Sequence, residues 1–395
     1  MSSANSVRIA IIPETTYGET PATGNFLTTR FTSESLTGSP ETTESQQIRT
    51  DRMSSGQIVT SLTVGGDINF ELASGPAIDE LIRCAMMKNA WITSTPVTVD
   101  LTLDTVAKTL TRDSGDWNGE AVVGDILTLT DFADNRNNTQ IQVAEISSAT
   151  VIKYVGPDAL VDEVGSGTTF QVADKLDIGT DKPSLSVEKT FLDLTDKAIN
   201  YRGEYVGGMN IKAEYGAIVN GTFSLSGNDY QDVDAAGDFM SDGRTITPPA
   251  TSNSINGSID MPFVASSATG VLAEADFCIQ SIGIDLQNNL TGQSCIGKAA
   301  PKDYNAGTAL PGITLGAYLS DSSWSLISNK LTQVPFAIGF SVKNNDGGYG
   351  FYLPAIQVSF DDPSSGGQNQ DVMLDMTGQA KVGANGESSL TVYRY

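Results

Sequence analysis

A mainly β fold is what this sequence predicts, and three observations carry the prediction. Apolar and polar residues alternate with a period of two through many segments, the pattern of half-buried strands. Glycine is frequent (39 residues) and aromatics are sparse (7%), while Ser and Thr recur in the alternating stretches, which suits strands joined by many turns. Helical spacing appears in only one or two short stretches. A length of 395 residues suggests two or three domains. With 39% apolar and 18% charged residues, the chain has the composition of a soluble globular protein.

In chain order, Val7 to Ile12 predicts a strand ended by Pro13, and Phe26 to Phe31 a second. Glu41 to Gln57 is a polar arm whose only large apolar residues are Ile48 and Met53. It lacks the Pro-Gly and Asn-Gly pairs that fold a chain back on itself. It reads either as the floppy loop of an ordinary hairpin or as a segment shaped by another molecule. From Ser61 onward, Leu62, Val64, Ile68, Phe70 and Leu72 share one face, with Thr63, Asp67, Asn69 and Glu71 on the other, predicting a strand. Ser74-Gly75-Pro76 then opens a helix whose Ala77, Ile78, Leu81, Ile82, Ala85 and Met86 form an apolar face. Cys84 lies beside that face as a small core residue.

After Trp91 the texture changes. Residues 94–176 read as an inserted small all-β domain, a barrel or sandwich of short, evenly spaced strands. The flanking parts, 1–93 (with the arm at 37–60) and 177–395, belong together. A recurrence supports this: Val64-x-Gly66-x-Ile68-x-Phe70 reappears as Val219-x-Gly221-x-Phe223-x-Leu225 and as Ile255-x-Gly257-x-Ile259-x-Met261. Gly on the apolar face marks a bend or close packing, so three long, curved strands of one kind are expected.

Further strands are expected at Leu185–Phe191, Met209–Tyr215 (after Tyr201 to Gly208), Phe277–Leu286, Ile313–Leu319, Val372–Met376 and Leu390–Tyr395. Gln231 to Ala250 reads as a polar loop. Asp321 is placed to cap a helix over Ser322–Leu331, and Asn344-Asn345-Asp346-Gly347 turns a hairpin between Phe336–Val342 and Gly350–Phe360.

Charge and composition exclude several classes of function. The balance of 23 basic and 47 acidic residues, net −24, opposes grip on a phosphate backbone or an anionic membrane. Such a surface repels DNA, which is useful where DNA must slide without sticking. Histidine is absent, so no His-based general base, nucleophile pair or metal ligand exists. Cys84, Cys278 and Cys295 have no CxxC spacing, as expected of free thiols. No signal-peptide pattern opens the sequence and no apolar run reaches a membrane span. P-loop, dinucleotide and HExxH motifs are missing. Asp131, Asp134, Asn135 and Asn137 carry oxygens that could hold Ca²⁺, but their spacing is not that of an EF-hand, and a solvated turn is the simpler reading. Asp361 to Gly367 is another turn, and the Asn-x-Ser/Thr sequons at Asn220, Asn256 and Asn289 have no meaning without secretion. Arg49 and Arg52 read as solvated or as partners of carboxylates on a neighbouring subunit. No cofactor, metal or catalytic residue is expected.

The order of several segments resembles a known family. Glu44-Ser45-Gln46-Gln47-Ile48-Arg49-Thr50-Asp51-Arg52, then Gly65-Gly66-Asp67-Ile68-Asn69-Phe70-Glu71-Leu72, is similar to the front of tail tube proteins of long-tailed, non-contractile phages. Ser184 to Lys189, Tyr201-Arg202-Gly203, Val219 to Ser224, Leu286 to Leu290 and Gln370 to Met373 follow in matching order. The resemblance covers most of 1–93 and 177–395. It implies a β-sandwich or partial barrel with one or two short flanking helices. It further implies six copies in a ring whose inner strands join into one barrel, rings that stack, and a virion protein made in the host bacterial cytoplasm. Its partners would be itself, a tape measure protein and tail terminator or tail tip proteins, with phage DNA passing unbound. On this reading Glu44, Ile48, Arg49, Asp51, Arg52 and Met53 contact the adjacent ring, and Asp67, Asn69 and Glu71 face the lumen. A β-rich cell-surface adhesin or fimbrial subunit is the alternative, and would need an export signal.

Overall fold

Two unusually long strands organise the protein in a computed structural model, which describes residues 2–261, 263–267, 272–275, 277–363 and 367–395, apart from the side chains of 325, 326 and 328–330. The principal elements of the first half are β1 (Val7–Pro13), β2 (Phe26–Thr29), β3 (Ser33–Glu34), β4 (Thr37–Glu44), β5 (Gln57–Glu71), α1 (Pro76–Ala85), β6 (Leu185–Phe191), β7 (Ala198–Glu214), β8 (Asn220–Gly227) and β9 (Asp229–Val233). Those of the second half are β10 (Phe263–Ser267), β11 (Ala273–Glu274), β12 (Ile279–Gln287), β13 (Leu310–Tyr318), α2 (Asp321–Thr332), β14 (Phe336–Asn344), β15 (Gly347–Ser359), β16 (Met373–Ala380) and β17 (Thr391–Arg394).

The mainly β prediction holds. Strand β7 serves two sheets, and β15 in like manner pairs with β17 along its first part and with β16 along its last. The first part of β7 pairs with β6 and β9 in an outer layer, and its last residues pair with β8 and β12 in an inner one. Gly203 lies at this passage with φ 65°, and a Cβ there would stand 2.5 Å from Asn228 Oδ1, so only glycine fits. The inner sheet runs β4–β5–β8–β7–β12–β13–β16–β15, antiparallel throughout. One transverse row crosses it as Phe70, Gly221, Ile211, Ile284, Ile313, Gly378 and Val358, all facing the core. Outer strands and α1 close over that face. The helix buries Ala77, Ile78, Leu81, Ile82, Cys84 and Ala85, as its spacing predicts.

Residues 97–172 form a separate eight-stranded antiparallel sheet around a core that includes Leu101, Trp117, Leu129, Ile141 and Phe170. It rests on the outer layer of the second half. Ile126, Ala144 and Val155 pack with Phe263, Tyr352 and Tyr393, and buried Asp125 accepts from Lys175 Nζ at 2.7 Å and Tyr393 Oη at 3.1 Å. We propose that 94–176 is an insertion between the two parts of one tube domain, 1–93 and 177–395.

Several local expectations need correction. The third copy of the glycine pattern is no strand: Asn256 makes one isolated bridge, residues 257–259 turn, and Ile259 is exposed. The other two copies are adjacent strands, with Gly66 facing Leu225, Ile68 facing Phe223 and Phe70 facing Gly221. The rings of Phe70 and Phe223 stack at 4.7 Å, in space that a Cβ on Gly221 would invade. Tyr201 to Glu214 is not a lead-in and a strand but part of the single strand β7, and Tyr215 lies in the turn that follows. Gln231 to Ala250 is not wholly loop, because the end of β9 and the strand Ile246–Thr247 lie within it. Ser320, not Asp321, caps α2, its Oγ accepting from Ser323 N at 3.2 Å. Asp134 caps a single turn and pairs with Arg136 at 2.7 Å, which supports the turn reading over a Ca²⁺ loop. The turn expected at Asp361 to Gly367 lies partly outside the described residues.

Candidate assembly interface

The arm is an antiparallel hairpin. Strand β4 pairs with β5 from Thr37 facing Gly65 to Glu44 facing Gln57, so the chain does turn back without Pro-Gly or Asn-Gly. Arg52, with φ 61°, and Gly56, with φ 89°, supply the left-handed positions. The strand therefore begins at Gln57 rather than Ser61. Beyond Leu62 the hairpin leaves the body of the protein: β4 is exposed from Ser39 to Glu44, and Gln57 to Thr60 are exposed as well.

Its tip is organised by its own polar groups. Ser54 Oγ donates to Glu44 Oε1 at 2.6 Å. Arg49 chelates the carboxylate of Asp51, with Nε 2.9 Å from Oδ1 and Nη2 2.5 Å from Oδ2. This guanidinium holds the Asp51 carboxyl below its ordinary range, helped by the N–H of Met53. The cation of Arg49 is thus already answered within the tip. What the tip leaves unanswered is apolar: Ile48 is 101% exposed, Met53 68%, Ile58 64% and Val59 57%. Four large apolar side chains on a two-stranded ribbon have no core of their own to enter, and such a surface marks a contact site. The sequence reading missed Ile58 and Val59. The β-branched run Ile58-Val59-Thr60, continuous with the strand after it, was the available signal.

The second candidate surface is the inner sheet's solvent face. Asp67, Asn69 and Glu71 do share one side of β5, opposite Ile68 and Phe70. Asn69 sits in a polar ladder: its Nδ2 donates to Ser33 Oγ at 2.9 Å and its Oδ1 accepts from Thr222 Oγ1 at 2.6 Å. Asp67 is exposed beside Ser224. Glu71 is half-covered at the strand's end, accepting from Ser254 Oγ at 3.0 Å. The row through Asn69 continues as Thr222, Asn210, Asp285, Gly312, Gln379 and Gln357, so the polar face spans the whole sheet. Directly opposed residues of antiparallel neighbours share a face. Across it, among the described residues, Asp67, Glu71, Glu214, Asp285 and Asp375 are joined by a single cation, Lys212, which pairs with Glu214 at 2.9 Å. Small and acidic side chains make this face smooth and negative.

Among the described residues no group of acidic and cysteine side chains is placed to hold a metal ion, and no helix is long and apolar enough to cross a membrane. No curated protein matches the chain. A family model described as phage tail tube protein matches residues 4–380. A broad polar sheet face, a projecting hairpin and that match over nearly the whole length together place this chain in the phage tail tube protein family.

Proposed function

We propose that the chain is a structural subunit without enzyme activity that closes into rings, which stack as the tail tube of a non-contractile, siphovirus-type phage and conduct DNA into the host. The observation that carries this reading is the pairing of two surfaces: a continuous acidic sheet face and a hairpin with exposed Ile48, Met53, Ile58 and Val59. The sheet face lines the channel, with Asp67, Asn69 and Glu71 on it, and repels the DNA backbone at short range. The hairpin, with Glu44, Ile48, Arg49, Asp51, Arg52 and Met53, seats on the adjacent ring. Rings have the sixfold character that the resemblance implies. The tape measure protein, and terminator or tip proteins, meet the tube's lumen and ends in the virion, after synthesis in the bacterial cytoplasm.

Electron microscopy of concentrated protein tests this. Hollow rings or tubes are expected, and a variant with 45–56 replaced by a two-residue turn should give rings that fail to stack. Tubes of unchanged length from that variant would remove the hairpin from the mechanism, and a strictly monomeric wild type would remove the tube.

A further inference from the structure

The strand ladders of this chain occur twice over. In the first half β2 pairs with β1, β1 with β6, β6 with β7, β7 with β9 and β8, β8 with β5, and β5 with β3 and β4. In the second half β11 pairs with β10, β10 with β14, β14 with β15, β15 with β17 and β16, β16 with β13, and β13 with β12. The partners correspond in the same chain order, all antiparallel, with β3 and β4 together answering to the single strand β12. A helix follows the counterpart strands β5 and β13, and each helix runs out into a non-glycine left-handed residue, Met87 with φ 51° and Gln333 with φ 51°. The hairpins β6–β7 and β14–β15 both carry a register shift directly after their first paired residue, Leu185 and Phe336.

Registers agree too. Ser33 faces Asn69 and Ser281 faces Gly316, each two residues before its strand's end at Glu71 and Tyr318. On the same count Ser39, facing Thr63, corresponds to Gln287, facing Leu310. Gly208, facing Ser224, corresponds to Ser359, facing Thr377. The inner sheet is therefore two four-stranded halves, joined where β7 pairs with β12 from Gly208 facing Gln287 to Glu214 facing Ser281.

We propose that the chain is a fused pair of tube units, so that three chains close a ring of sixfold character, and that the junction between chains copies the junction within one. This rests on the tube reading just given. Between chains, β15 takes the role of β7, and β3–β4 of a second copy takes the role of β12, which sets Ser39 of one chain opposite Ser359 of its neighbour. Pro40 has no N–H to donate, so the ladder ends at Ser39 and the rest of the hairpin is free to project. The helices point to the same occupant. Ala85 and Leu331 each stand two residues before the left-handed residue that ends their helix. Ala85 is fully buried and its carbonyl accepts from Asn288 Nδ2 of the second half at 2.8 Å, whereas Leu331 is 91% exposed. Likewise Ile78 is 6% exposed and its counterpart Trp324 59%. The second unit covers the end of α1, and a second copy's first unit would cover α2 in the same way.

Two measurements test this. In a chain carrying Cys278→Ser and Cys295→Ser, Ser39→Cys with Ser359→Cys should give, on oxidation of assembled tubes, an interchain ladder that closes at three chains. Closure at six chains overturns the fused-pair ring, and assembled tubes without interchain bonds overturn the register. Images of the wild-type ring give the second measurement. The sheet at 97–172 is inserted in the first unit alone, between α1 and β6, so three outer protrusions are expected around a barrel of six similar sheets. Six protrusions overturn the proposal while leaving the tube intact, whereas absence of any ring defeats the tube reading itself.

Discussion

Replacing Glu204 by Gln should remove a loss of stability that the wild-type chain suffers between mildly acidic and mildly alkaline pH. Glu204 follows Gly203 at the passage of β7 from the outer to the inner sheet. It is fully buried, and neither carboxyl oxygen has a hydrogen-bond partner. Burial first, and the nearby charge of Glu14 second, raise its pKa from 4.5 to about 8. The folded chain therefore keeps this proton over a range in which the unfolded chain has lost it. The stabilisation is complete below about 4.5 and disappears as pH rises through about 8. The interval between those values sets a ceiling of about 5 kcal/mol. Urea unfolding at pH 5, 6, 7 and 8, followed by Trp fluorescence, measures it. Other carboxylates titrate in both proteins, so the informative quantity is the difference between Glu204→Gln and wild type, which should grow by several kcal/mol in favour of the variant as pH rises. A difference constant within about 0.5 kcal/mol, the scatter of an inert substitution, would refute the reasoning.

Three further outcomes are expected. Asp125→Ala should destabilise by about 3–5 kcal/mol, because it strands the half-buried ammonium of Lys175 and the buried hydroxyl of Tyr393; hydrogen exchange should rise first around 126–130, and unchanged protection there would contradict the docking role. Phe223→Ala, emptying one ring of the Phe70 stack in the principal core, should lower stability by about 3–5 kcal/mol in denaturant titrations. Asp67→Lys combined with Asp375→Lys changes two exposed side chains of the polar face. Monomer stability should stay within about 0.5 kcal/mol of wild type, while ejection of labelled DNA from particles slows in a salt-dependent way. Ejection at the wild-type rate in low salt would detach this face from the channel.

How much of this was legible in the sequence depends on whether a residue's environment lies close in the chain. The face of α1 was plain because Ala77, Ile78, Leu81, Ile82 and Ala85 all meet one core. The two faces of β5 were plain for the same reason, and Asp67, Asn69 and Glu71 are on the side predicted. The hairpin tip was misread because its turn relies on Arg52 in a left-handed conformation that its residue type does not advertise. The repeat was misplaced. Matching Val64–Phe70 to Val219–Leu225 picked out two strands that pair with each other, not the two units. The corresponding strands have diverged: Phe223 answers to Met376 and Gly221 to Leu374 on the matched registers. Core positions tolerate such exchanges when volume is made up nearby, so pairings keep a duplication visible after the letters have lost it.

Those pairings also explain why the chain can carry open sheet edges. An unpaired β4 edge, exposed from Ser39 to Glu44, is a template for indiscriminate pairing. Pro40 limits it to the few residues before the proline, where only a strand in one register fits. A heterologous contact of this sort must either close or grow without end. On the proposal above, the curvature that lets β7 and β12 join within the chain, repeated at each junction, would turn the sheet back on itself and remove every edge. In the ring proposed above the acidic face would lie on the inside of the closed sheet, its negative charges concentrated around whatever passes through.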